Sequence, residues 1–173
     1  MKLYHVSEEE SIEEFIPRVS YREDMDQNVG VVWAVCERTL PNFLTPRDCP
    51  RVTYHVHKDT LEEDKKRYLS SNVVNHCVAI EHRWVEQMKN TTLTIYEFDS
   101  ENFELQDEVA GYYISKCTEK PTRKRTVTNL FKALEERKVE VRILPELFTL
   151  RDQIIASSFH WSMCRMKNAR RDD

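Results

Sequence analysis

Gly30-Val31-Val32-Trp33-Ala34-Val35-Cys36 is a continuous apolar run, and Arg51-Val52-Thr53-Tyr54-His55-Val56-His57 is an alternating one. The first pattern is that of a strand buried on both faces, and the second predicts another strand. No helix fits between them. Pro41, Pro46 and Pro50 recur every four or five residues. Proline removes a backbone donor and clashes with the preceding turn, so residues 39–51 are irregular by chemistry. Two strands joined by a rigid loop are not the βαβ repeat of a parallel sheet.

The pattern extends outward from this stretch. Lys2 to Val6 reads as a strand. Ser7 and Glu10 have capping-box spacing and predict a helix with Ile12, Phe15 and Ile16 on one face, ended by Pro17. Arg18 to Asn28 reads as a loop. Asp59 and Glu62 predict a second capped helix containing Leu61, Tyr68 and Leu69. Strands follow at His76–Glu81, Leu93–Phe98, Phe103–Leu105, Ala110–Ser115, Val139–Ile143 and Ser158–Met166. Helices are predicted around Trp84, Val85 and Met88, over Val127 to Leu134, and after Pro145, with Leu147, Leu150 and Ile154 inward. The expected architecture is α+β: a single domain over 1–173, with a largely antiparallel twisted sheet flanked by about five helices.

Composition narrows the chemistry. Only Gly30 and Gly111 are glycines, where average usage would give about twelve. Loops that cradle phosphate by backbone need clustered glycines, so a Rossmann fingerprint, a P-loop and a kinase glycine loop are excluded, as is a GxSxG nucleophile elbow. The net charge of −4 argues against a surface that coats nucleic acid throughout. Cys36, Cys49, Cys77, Cys117 and Cys164 are scattered and never form CxxC. Reduced thiols, no basic start leading into an apolar run, and no apolar stretch near eighteen residues predict a cytoplasmic protein with no membrane partner.

Asn42 to His57 is the leading candidate site. Its prolines lower the entropy lost on holding a ligand, and Arg47 and Arg51 carry the planar fork that suits carboxylate and phosphate. Thr45, His55 and His57 add polar groups. Arg47 equally suits a pin that pairs with Asp48 or another carboxylate. His55 and His57 have the spacing of a metal-binding pair, with Cys36, Cys49 or a carboxylate to complete it, but no second ligand pair is visible and no metal is expected. His5 sits between Tyr4 and Val6, with its ring opposite theirs, as a ligand-orienting group, a general acid or base, or a structural histidine. Glu81 ends an apolar strand, and Glu140 lies between valines, as a carboxylate raised by burial or as one facing water. Lys116, Lys120, Arg123, Lys124 and Arg125 form a basic loop, read as a solvated face or as a contact for RNA or an acidic partner.

Leu3-Tyr4-His5-Val6-Ser7, the Trp33-Ala34 strand with Leu40 to Arg51, Ala110-Gly111-Tyr112-Tyr113-Ile114-Ser115, and Ser162 to Ala169 resemble a small family of uncharacterised bacterial proteins. The resemblance covers nearly the whole chain and brings no activity with it. Leu3-Tyr4-His5 is also similar to the opening strand of the ADP-ribosyltransferase superfold, which includes the RNA 2′-phosphotransferases. Val6-Ser7 replaces the usual glycine pair there, Trp33 stands in the second motif where a tyrosine is usual, and Glu140 matches the late-strand glutamate. This resemblance implies NAD binding without a glycine fingerprint. It assigns ribose or phosphate orientation to His5, pyrophosphate to Arg47 and Arg51, stacking to Trp33, and an oxocarbenium-like centre to Glu140. The expectation is a nucleotide- or NAD-handling transferase. Its rivals are a non-catalytic module for a phosphate- or carboxylate-bearing small molecule and a protein that binds RNA or a partner through its basic loop.

Overall fold

Eleven strands form among the described residues of the computed structural model, which are 1–20 and 22–171. They are β1 (Lys2–Ser7), β2 (Arg18–Val19), β3 (Gly30–Cys36), β4 (Arg51–His55), β5 (His76–Glu81), β6 (Leu93–Asp99), β7 (Glu104–Asp107), β8 (Tyr112–Ser115), β9 (Arg123–Val127), β10 (Glu140–Leu144) and β11 (His160–Cys164). Four helices accompany them: α1 (Glu62–Tyr68), α2 (Val85–Asn90), α3 (Leu130–Glu135) and α4 (Phe148–Ile155). The fold is α+β, and the strands make two sheets. The chain forms two compact units, Met1–Leu40 with Leu93–Val127, and Pro41–Thr92 with Thr128–Asp173. No helix is long and apolar enough to cross a membrane among the described residues.

The first unit holds a sheet in the order β7-β8-β3-β1-β6-β9, with β2 also on β3, and every pairing is antiparallel. Leu3, Val32, Ala34, Tyr96 and Phe98 build its core with Phe15. Val31 and Val35, on the other face of β3, are buried as well, as the continuous apolar run requires.

Phe15 explains the one helix that does not form. Residues 8–17 were expected to be helical from Ser7 and Glu10, yet they are irregular. Ser7 Oγ accepts from Glu9 N, and Glu9 Oε1 accepts from the backbone N and the hydroxyl of Ser11. These short side-chain bonds offer the backbone an alternative to a helical turn. Tyr96 Oη donates to the Glu9 carbonyl and accepts from Ile12 N. Phe15 and Glu119 exchange backbone hydrogen bonds at 2.8 and 3.0 Å, which seats the Phe15 ring edge-on against Tyr96 and Phe98. Tertiary burial of one phenylalanine outweighs a local capping signal. Arg18 to Asn28 is loop apart from β2, and Tyr21 within it lies outside the described residues.

The second unit has the order β10-β5-β4-β11. β10 and β5 are parallel, and the other two pairings are antiparallel. Val52, Tyr54, Cys77 and Ala79 pack on Tyr68, Leu147, Leu150, Ile154 and Phe159, and Tyr54 Oη donates to the Tyr68 carbonyl at 2.6 Å. Helices α1 and α4 do not start as expected. Leu61, not Asp59, precedes α1, and Ser158 Oγ accepts from Leu61 N. α4 begins at Phe148, and the Glu146 carboxylate, not Pro145, serves its first turn by accepting from Thr149 N. The basic stretch is also not all loop, because Arg123 to Val127 pair with β6.

Gly111 turns the chain between β7 and β8 with φ of +67°, and an added Cβ would lie 2.5 Å from Thr39 Oγ1 and 2.9 Å from Cys36 Sγ. Gly111→Ala combines left-handed strain with that crowding. We expect it to lower unfolding free energy by about 2–3 kcal/mol in urea titration; a change below about 0.5 kcal/mol would show that the turn has other conformations open to it.

Candidate functional site

Successive residues of a strand face opposite sides, so β4 sends Val52 and Tyr54 to the helix-covered side of its sheet and Arg51, Thr53 and His55 to the other. Register extends that second side. His55 lies opposite His76 on β5 and His160 on β11; Thr53 lies opposite Val78 and Ser162; Arg51 lies opposite Ile80 and Cys164. Three histidines therefore stand in one row, with ring centroids 5.3 Å apart for His55–His76 and 5.7 Å for His55–His160. A polar sheet face ordinarily meets water, but Thr53, His55, His76, Arg51 and Ser162 are all buried.

The proline-rich loop closes on this face. Arg51 Nε donates to the Asn42 carbonyl at 2.8 Å and Nη1 to the Cys49 carbonyl at 2.9 Å, with the guanidinium 5.3 Å from the Phe43 ring centre. His76 Nε2 donates to Asn42 Oδ1 at 2.6 Å. The arginine expected to hold an anion is thus committed to the loop's own carbonyls. Thr45 is buried in the same loop, while Arg47 is exposed on it. Within the loop, two side-chain atoms have no hydrogen-bond partner although they are shielded from water: Asn42 Nδ2 and Thr45 Oγ1. A buried, unsatisfied polar group costs about 1–3 kcal/mol, so each needs an explanation. Burial pushes the Cys49 thiol up to about 12, which leaves it protonated and unreactive at neutral pH.

The other expected residues lie elsewhere. His57 is beyond the end of β4; its ring stacks on His160 at 3.6 Å and its Nε2 donates to the Ser158 carbonyl. Glu140 sits opposite Cys77, on the helix-covered side of the sheet, away from Arg51 and His55. Its Oε2 accepts from Ser70 N and its Oε1 from Arg142 Nε at 2.7 Å. Burial raises its pKa, but the bonds from Ser70 and Arg142 outweigh that and hold it below the usual glutamate range. Glu81 is buried and similarly engaged, accepting from Arg83 Nε and Arg170 N.

In the first unit, register puts His5 on the Ala34 face of the sheet and Trp33 on the opposite one. His5 packs against Phe15 at 4.8 Å and its Nδ1 donates to the Trp33 carbonyl. Trp33 carries the Arg22 guanidinium, 5.3 Å from the indole, and meets Tyr112 edge-on. The structure brings together Arg51 and His55, and with them Asn42, His76, His160, Thr53 and Ser162; Thr45 is buried in the loop that Arg51 holds. It does not bring His5 to the face of Trp33, nor Glu140 to the face of Arg51. His160 belongs to a period-two polar set, His160-x-Ser162-x-Cys164, that matches His55-x-Thr53-x-Arg51, whereas His76 heads a strand whose next residues on that face are Val78 and Ile80. Sequence alone does not give the register that unites the sets.

Fold and site together define an α+β protein with two mainly antiparallel sheets, one of them holding a buried polar face under a proline-stiffened loop. The chain belongs to a family of unknown function, DUF6886, whose pattern spans residues 4–169. No curated protein and no solved structure matches it.

Two variants test these roles. Arg51→Met strands the two carbonyls that the guanidinium satisfies and should cost about 2–4 kcal/mol in chemical denaturation; a cost near zero would mean the loop does not need the tie. Glu140→Gln should destabilise at neutral pH. A carboxylate whose pKa is lowered on folding contributes above its unfolded pKa and stops contributing as pH falls through its folded value. The gap between wild type and variant should be widest above about pH 5 and close in acid; a gap independent of pH would contradict the ion-pair role.

Proposed function

We propose that the protein binds a small molecule bearing a phosphate or carboxylate on the polar face of the β10-β5-β4-β11 sheet, beneath the 41–50 loop. The observation that carries this reading is the pair of buried, partnerless atoms in that loop, Asn42 Nδ2 and Thr45 Oγ1. Asn42 Nδ2 can only donate, because the amide oxygen is taken by His76. The Thr45 hydroxyl in the same loop, the imidazoles of the histidine row and the exposed Arg47 add groups able to donate. An oxyanion is the complement of such a setting, and here side chains supply what glycine-rich backbone supplies in other anion sites. Binding is favoured over group transfer because Glu140, the carboxylate a transferase would use, faces the helices and is held by Ser70 and Arg142.

The test is calorimetry and thermal unfolding with inorganic phosphate, a dicarboxylate, AMP, ADP-ribose and NAD. A ligand at about one hundred times its Kd adds about 2.7 kcal/mol, which is a rise of roughly 5–10 °C for a chain of this size. Asn42→Ala and Thr45→Val should remove that rise while leaving cooperative unfolding, and Glu140→Gln should retain it. No rise with any compound, or one that survives both loop substitutions, would end the reading. A rise with NAD that Glu140→Gln also removes would return the case to a transferase.

A further inference from the structure

The first unit's sheet ends in two strands of opposite charge. β9 is Arg123-Lys124-Arg125-Thr126-Val127, with its first four residues exposed, and it lies at one edge. β7 is Glu104-Leu105-Gln106-Asp107, with Glu104 and Leu105 exposed, and it lies at the other. Glu101 and Glu108, both exposed, flank β7 and carry the same sign. Lys124 reaches the Glu10 carbonyl, which leaves Arg123 and Arg125 as the main charges displayed along β9. No strand pairs with the outer side of either edge among the described residues. Edges are usually guarded against self-pairing by one sign of charge, since like edges then repel. Here each edge repels its own kind and attracts the other.

Strand direction makes the match geometric as well as electrostatic. From β7 to β9 the path crosses five antiparallel junctions, so the two edge strands run in opposite directions. A second copy placed beside the first in the same orientation sets its β7 antiparallel to the first copy's β9, which continues the alternation of the sheet. We propose that β9 and β7 are complementary edges through which copies of this chain associate head to tail. The two-fold alternatives, β9 on β9 and β7 on β7, oppose like charges across a strand pair and are disfavoured. The head-to-tail contact leaves a free edge at each end, so association extends without closing unless the sheet twist returns it to a ring. Backbone hydrogen bonds supply the attraction, and Arg123 and Arg125 facing Glu104, Asp107 and the flanking Glu101 and Glu108 fix direction and partner, with Glu104 exchanging its exposed pair with Lys116 for an arginine.

Sedimentation and light scattering of the full chain at low salt test this. The average mass should at least double over a roughly fiftyfold rise in concentration, and should fall towards the monomer near 1 M salt, where screening acts within about 3 Å. Arg123→Glu with Arg125→Glu gives two acidic edges and should stay monomeric. Glu101→Lys with Glu104→Lys and Glu108→Lys gives two basic edges and should also stay monomeric. Mixing the two variants restores both complementary contacts and should restore association. Should either variant fold poorly, amide exchange on the wild type decides: residues 104–107 and 123–127 must slow together as concentration rises. A wild type that is monomeric throughout, association indifferent to both charge reversals, mixing that restores nothing, or edges whose exchange ignores concentration would each overturn the proposal.

Discussion

The guanidinium of Arg51, held between the carbonyls of Asn42 and Cys49 with Phe43 across its face, is the tie on which the second unit's arrangement rests. Taking such a charge out of water costs several kcal/mol unless its donors are met. The loop meets them because it makes only one short 3-10 turn, Leu40–Phe43, and leaves the Asn42 and Cys49 carbonyls to the guanidinium. The dependence runs both ways. Without the loop, the arginine would be a stranded charge; without the arginine, the loop would bury carbonyls unsatisfied. This reciprocity lets a sheet keep a polar face indoors.

The two sides of that sheet then divide the work. Val52, Tyr54, Cys77 and Ala79 meet the helices and supply the apolar burial that drives folding. The opposite side carries histidines, hydroxyls and the loop beside the buried Val78 and Ile80. Glu140 belongs to the first side, where it ties Ser70, at the end of α1, to Arg142. A carboxylate between two valines reads as a candidate for chemistry; in place, it is a fastener.

What was legible in the sequence follows from range. The strands at 30–36, 76–81 and 93–99 announce themselves because a buried strand needs an apolar run and nothing distant alters that need. That 39–50 holds no α-helix or strand was legible from its prolines; its one 3-10 turn, Leu40–Phe43, was not. Residues 8–17 were not, because their conformation is decided by where Phe15 finds a core and by a backbone exchange with Glu119, a hundred residues away. β9 escaped because an edge strand of arginine and lysine has no apolar period; pairing with β6 alone makes it a strand. In the site, Asn42 to Arg51 could be singled out in advance, with Thr45 and His55. The partners His76 and His160 could not, since only register sets them opposite His55.

The interleaving of the two units has a consequence for the order of events on the ribosome. The last strand of the first unit ends at Val127, so that sheet can be complete while the second still lacks two of its four strands. β4 and β5 must wait through the whole of residues 93–127 before β10 and β11 exist to flank them. The histidine row is finished only when His160 is made. Until then the growing chain carries a half-built sheet whose apolar side, with Val52, Tyr54, Cys77 and Ala79, still lacks Leu147, Leu150, Ile154 and Phe159 to cover it.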